Sequence, residues 1–180
     1  MKFIFASDSY KGTLSSSHIC ELLTEQAKRV FPDCEIVCLP IADGGEGTME
    51  ALVTARNGRY IPCVAQDPLG KERETYFAVL DDKTAVVEMA AASGLPLVPP
   101  ASRNPLLTTT YGTGQLSAKA LEMGSREIIS GVGGSATNDG GIGAAAALGV
   151  RLLDRNGNEV TYSGGGLSRI DTIDVAGLHP

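Results

Sequence analysis

"GVGGSATNDGGIGAAAALG" (131–149) follows the apolar segment around Ile128-Ile129 and runs into a row of alanines. Its glycines stand at positions 131, 133, 134, 140, 141, 143 and 149. Glycine loses more backbone entropy on folding than any other residue, so this density needs a reason. A second stretch of the same kind, "IADGGEGT" (41–48), follows "CEIVCLP" (34–40) and leads into "TMEALVTAR" (48–56). Each stretch lies between an expected strand and an expected helix. In an open α/β sheet that place is the carboxyl edge, where ligands bind. Two such units point to an α/β fold.

Working outward, "KFIFA" (2–6) reads as a buried strand that ends in the polar cluster "SDSYKGTLSSS". From Ser17, apolar residues recur at Ile19, Leu22, Leu23, Ala27, Val30 and Phe31, a helical spacing that Pro32 ends. The rhythm strand–loop–helix–strand–loop–helix predicts a parallel sheet with crossover helices. "RETYFAVLDDKTAVVEMAA" (73–91) alternates and turns at Asp81-Asp82-Lys83, which predicts a β-hairpin. "GLPLVPPASRNPL" (94–106) carries four prolines and is expected to be irregular. "TTTYGTGQLSAKALEMG" (108–124) predicts a helix with Gly124 just past its end, and "REIISGV" (126–132) the next strand. An alanine-rich helix ending at Gly149, the strand "VRLLD" and the turn "RNGNE" follow. The expected architecture is a three-layer parallel-sheet domain, incomplete in this chain, plus a second α/β domain containing the hairpin. Residues 1–66 are assigned to the first, Rossmann-like domain and 67–180 to the second.

Composition narrows the function classes. The chain has 180 residues, 43% hydrophobic and 20% charged, with net charge −6. These are the values of a globular protein with a real core. Without a basic cluster, and with no tryptophan for base stacking, a nucleic-acid partner is not expected. No apolar run is long enough to span a membrane and the N-terminus lacks a signal-peptide pattern, so a cytoplasmic location is the default. Cys20, Cys34, Cys38 and Cys63 form no C-x-x-C pair and are expected as reduced, mostly buried thiols. His18 and His179 are the only histidines, too few for a Ser-His-Asp triad or a histidine-rich metal centre.

Glycine lets backbone N–H groups approach an anion, and a helix N-terminus adds partial positive charge; phosphate is the natural guest. The plain alternative is that the glycines only make tight turns. The pattern G-x-x-x-x-G-K-[ST] is absent. "GVGGSA" (131–136) matches G-x-G-x-x-A, with Asp154 downstream, so a dinucleotide-dependent dehydrogenase is an alternative; "TNDGG" interrupts where its helix should begin. The side chains favour phosphoryl transfer. Asp8 and Lys11 follow the first strand, Asp43 and Glu46 the second, and Asn138 and Asp139 sit in the later loop. Acids and an amide beside phosphate suit Mg²⁺, a hard cation that shares its shell with phosphate oxygens. Such acids also orient an attacking hydroxyl, while Lys or Arg offsets developing charge. Arg103, beside Asn104-Pro105, has the planar fork that grips a carboxylate.

With these residues laid out, the sequence resembles the bacterial glycerate kinase family. "SDSYKGTLSS", "ADGGEGT", "RNPLLTTTYGTG" and "GGSATNDGG" look like four of its signatures, in order along the whole chain. The resemblance implies two-domain α/β kinases without a Walker loop, with ATP and Mg²⁺ as cofactors and D-glycerate as substrate. The implied product is phosphoglycerate, with the 2-phospho isomer favoured. Carried over by position, it points to Asp8, Lys11, Asp43, Gly44, Gly45, Glu46, Arg103, Gly133, Gly134, Ser135, Asn138 and Asp139. Within that set we assign catalysis to Lys11, Asp43 and Asp139, with Asp43 and Asp139 also holding the metal. Asp8, Arg103, Asn138 and Glu46 are assigned to substrate, and Gly44, Gly45, Gly133, Gly134 and Ser135 to the nucleotide. Two departures stand out. Ser7 occupies a place where the family often has proline, and family members run to about twice this length. The chain is therefore expected to be an N-terminal piece, partnered by a C-terminal half or a second copy. A non-catalytic nucleotide- or phosphate-binding fragment is the alternative.

Overall fold

The computed structural model describes residues 1–10 and 13–179. Strand β1 (Lys2–Phe5) leads to helix α1 (Ser16–Val30) and strand β2 (Glu35–Cys38), which pairs with β1 in parallel, Lys2 opposite Glu35. The Ser15 hydroxyl caps α1 by accepting from the His18 amide at 3.2 Å. At its other end, Lys28 Nζ donates to the Cys34 carbonyl at 2.6 Å, in reach of the helix's negative pole. Ile19 and Cys20 turn inward, while Leu22, Leu23 and Ile4 remain exposed on this two-stranded unit. Helix α2 (Thr48–Arg56) ends where Asn57 adopts φ 52° and its amide bonds the Val53 carbonyl.

Beyond α2 lies a four-stranded sheet, in the order β3 (Arg59–Gln66), β4 (Glu72–Val79), β5 (Thr84–Glu88), β6 (Glu127–Gly131). β3, β4 and β5 are antiparallel and β6 runs parallel to β5. The sheet is thus mixed rather than purely parallel. The hairpin expected at 81–83 is present, its turn held by Asp81 Oδ1, which accepts from the Lys83 and Thr84 amides at 2.8 and 2.7 Å. A longer β3–β4 hairpin precedes it. That ladder joins residues 59–66 to 72–79 in one sheet.

Period-two alternation sorts β4 and β5 onto two faces. Phe77, Ala85 and Val87 face helix α4 (Tyr111–Glu122), whose Leu116 and Ala120 complete a buried cluster with Ala65 and Ala92. Ala78 and Val86 face α2, where Met49 is 2% exposed and Leu52, Val53 and Leu80 pack around it. A helix on each face gives the three layers. Burying Phe77 completely stabilises the fold by about 2–3 kcal/mol. Between β5 and α4 come the short helix α3 (Ala90–Ser93) and two single 3-10 turns, Leu95–Leu97 and Pro100–Ser102, in the proline-rich stretch.

Helix α5 (Ile142–Ala147) packs on α4 at Gly114, where a Cβ would lie 2.4 Å from the Ala144 carbonyl oxygen. Its other side, with Ile142 and Ala145, covers Val150, Leu152 and Val160 beside strands β7 (Arg151–Leu153) and β8 (Thr172–Asp174). Among the described residues no helix is long and apolar enough to cross a membrane. The four thiols form no disulfide; Cys20 and Cys34 are buried, Cys63 is intermediate and Cys38 exposed.

Candidate functional site

The two glycine stretches touch. The loop after β2 and the loop after β6 meet where the Gly133 amide donates to the Gly44 carbonyl at 2.8 Å. A Cβ on Gly133 would stand 2.5 Å from Gly45 Cα, so only glycine permits this approach. Gly131, at the end of β6, leaves the same kind of room: its Cβ would lie 2.9 Å from the Gly44 oxygen. One position on, a Cβ at Gly134 would be 3.8 Å from Glu46 Cγ, which places the acid of the first loop against the second.

A cleft opens on each side of this contact. One, of about 260 Å³, is lined by Ser9, Tyr10, Thr13, Ser15, Ser16, Glu46 and Glu50, joining "SDSYKGTLSS" to "ADGGEGT". The other, of about 280 Å³, is lined by Arg103, Asn104, Thr108, Ser135, Ala136 and Thr137, joining "RNPLLTTTYGTG" to "GGSATNDGG". The four sequence signatures are therefore assembled in two pairs that share the loop contact.

Many loop amides are engaged within the protein. Gly45 N donates to Asp43 Oδ1 at 2.9 Å, Thr137 N to the Ser135 hydroxyl at 3.0 Å, and Gly141 N to Asp139 Oδ1 at 3.0 Å. Those of Gly44, Glu46, Gly134 and Ser135 find no acceptor among the described residues. These four sit on either side of the loop contact, so the room for an anion is narrower than glycine content alone suggests.

The expected site residues fall into distinct surroundings. Asp43 is exposed at the rim of the first loop. Asp8 follows β1, half-buried, its Oδ1 accepting from the Ser9 amide at 2.7 Å. Arg103 is exposed, with Nε donating to the Val98 carbonyl at 3.3 Å, which leaves the outer edge of its fork to the second cleft. Asn138 is exposed beside the same loop. Lys11 lies outside the described residues.

Asp139 differs from the rest. It is 1% exposed; Oδ2 accepts from the Thr110 amide and hydroxyl, both at 2.8 Å, and from the Gly143 amide at 3.3 Å. With Gly141 on Oδ1, its lone pairs are taken by donors at the starts of α4 and α5. That geometry makes it a clamp between the starts of two helices. Among the described residues no three His, Cys, Asp or Glu side chains converge as a metal cluster. Mg²⁺ bound mostly by phosphate and water needs only one or two carboxylates, and Asp43 with Glu46 fits that donor set.

Sequence reading passed over Glu88 and Thr110. Glu88 ends β5, is 8% exposed, and accepts from the Gly47 and Met49 amides at 3.3 and 3.0 Å. Burial pushes its carboxyl above the ordinary glutamate range, and the Glu46 and Glu50 charges push the same way, against the two amide bonds. The available signal was a charge in "TAVVE", at a position where alternation calls for a core residue.

These layers and paired loops define an α/β protein with a two-sided polar site at its strand ends. The dinucleotide alternative does not fit this frame, because α5 begins only at Ile142 and β6 belongs to a mixed sheet. The sequence profile of the glycerate kinase family matches residues 3–180. The chain is 52% identical over 179 residues to the glycerate kinase of Bacillus subtilis (strain 168), covering 99% of this chain and 47% of that protein. It is 48% identical over 181 residues to the glycerate 2-kinase of Escherichia coli (strain K12), covering 100% and 48%. A crystal structure named for glycerate kinase 2 of Salmonella typhimurium LT2 superposes with a TM-score of 0.82 at 46% identity, covering 99% of this chain and 48% of that one. The chain belongs to the glycerate kinase family. It spans about half the length of the curated relatives it matches.

Proposed function

We propose that this chain serves the transfer of the ATP γ-phosphate to a hydroxyl of D-glycerate, as the N-terminal half of a two-domain kinase. The observation that carries the reading is the meeting of two glycine loops with four amides that find no acceptor among the described residues, beside Asp43 and Glu46. Such amides stabilise the negative charge of phosphate without reorganisation. The Escherichia coli relative's name, glycerate 2-kinase, favours 2-phosphoglycerate as product.

In this reading Gly44, Gly45, Gly133, Gly134 and Ser135 bind the phosphates, and Asp43 with Glu46 holds Mg²⁺, which would neutralise charge on the phosphate oxygens. Arg103 pairs with the glycerate carboxylate, while Asp8 and Asn138 orient its hydroxyls. Lys11 offsets charge on the transferring group. Asp139 acts from behind, fixing the second loop. The family and a cytoplasmic setting agree with a small-molecule substrate; the remaining half of the site would come from a C-terminal half or a second copy.

A coupled assay of the full-length gene product with ATP, Mg²⁺ and D-glycerate tests this. ATP-dependent formation of 2-phosphoglycerate is the expected result. Calorimetric binding of ATP with no turnover would replace the kinase by a phosphate-binding module.

A further inference from the structure

Of the buried acids, Glu88 is the one with no part in the chemistry above, yet it touches the first glycine loop. Helix α2 begins at Gly47, which has φ 91° and no side chain to cap the helix. The first amides of any helix lack intrahelical partners and need an acceptor from elsewhere. Thr48 N reaches the Gly45 carbonyl at 3.3 Å, but Gly47 and Met49 are met by Glu88, 41 and 39 positions away in sequence. The side chain belongs to the β5 face that carries Val86 and packs on α2. At the end of the strand that face has run past the side of the helix to its positive pole, where a carboxylate is stabilised.

We infer that Glu88 is a positioning residue for phosphoryl transfer: it anchors the start of α2 and thereby sets where Asp43, Gly44 and Glu46 face the second glycine loop. The inference rests on the kinase reading. Among the described residues the main chain of 44–49 is hydrogen-bonded to the rest of the protein at three points: Gly44 O to Gly133 N, Gly47 N to Glu88 and Met49 N to Glu88. The first point joins it to the strand-end loop of β6; the other two tie it to β5, the neighbour of β6 in the sheet, where Glu88 is in register with Gly131. Removing the Glu88 points leaves one of these three, while Met49 still packs on the sheet and the loop's acids still repel. The groups facing Glu88 are Glu46 and Glu50 from the loop and α2, and Tyr60 from β3. The two glutamates carry like charge and Tyr60 is a neutral phenol, so the two amides are what receive a negative charge on Glu88.

The test uses Glu88→Gln and Glu88→Asp in the full-length protein. Gln keeps the size but turns one acceptor into a donor, so kcat is expected to fall about tenfold at saturating substrates while the thermal transition stays cooperative. Glu88→Asp, which keeps both acceptor oxygens, should recover part of kcat, and KM should move little in either variant. Hydrogen exchange at the Gly47 and Met49 amides should accelerate in Glu88→Gln. Wild-type kcat in Glu88→Gln, no recovery in Glu88→Asp, or activity lost only in proportion to unfolded protein would each overturn the inference. If wild-type protein fails to phosphorylate glycerate, the kinase reading falls, and exchange at those two amides then decides on Glu88: unaltered rates refute the anchor.

Discussion

The two glycine loops share a sequence grammar and differ in what holds them. The loop before α5 carries its own acid, Asp139, which is buried and accepts from Gly141 and Gly143 at the start of the following helix and from Thr110 at the start of α4. The loop before α2 borrows its acid from the sheet, where Glu88 reaches across from β5. In its own acid's place it presents Asp43, exposed at the rim, with Oδ1 accepting from the Gly45 amide of its own loop. An acid within a glycine loop is thus a poor guide to chemistry by itself. Whether its oxygens are already taken by helix amides decides its role.

The comparison is broken most directly at the contact between the loops. Gly133→Ala places a methyl 2.5 Å from Gly45 Cα, so the backbones must part. We expect a loss of about 1–3 kcal/mol in denaturant titration, typical of overpacking, together with at least a hundredfold loss of kinase activity in the full-length protein. Wild-type activity in that variant would mean the loops do not act as a pair. Next in size is Asp139→Asn, which sets an amide against four donors. It should cost about 2–3 kcal/mol by chemical denaturation, as expected for losing hydrogen bonds to a buried charge. The Mg²⁺ concentration for half-maximal rate should stay as in wild type if clamping is Asp139's whole part; a large rise would give it a place in the metal site.

Asp43→Asn sharpens the contrast from the other side. On an exposed rim it should move stability by no more than about 0.5 kcal/mol. Its effect belongs to kcat and to the Mg²⁺ requirement, both read from steady-state titrations, and unaltered values would remove Asp43 from the metal. The smallest effect is the pH dependence of stability. Glu88 has a folded pKa above its unfolded one, so the folded state binds the proton more tightly. Stability then falls as pH rises from the ordinary glutamate range through the raised value. Glu88→Gln should flatten that fall in melting curves recorded across the acid range.

Much of the fold was legible in the chain, for local reasons. The alternation of β4 and β5, the Asp81 turn and the Gly124 end of α4 each rest on residues within a few positions of one another. β3 escaped because "RYIPCVAQ" contains Pro62, which cannot donate to a ladder; β3 tolerates it as an edge strand, and edges are a property of the sheet. β8 lies in a polar, glycine-rich stretch and is defined only by its partner β7.

The site divides in the same way. The four signatures, their glycines and their acids could be read from residue order, because steric freedom and charge travel with the residue type. Their sorting into two clefts around Gly44 and Gly133, the withdrawal of Asp139 into a clamp and the use of Glu88 as a distant cap could not. Each depends on which amide lies within hydrogen-bond reach of which oxygen, and across tens of residues only the packed sheet and its helices set that distance.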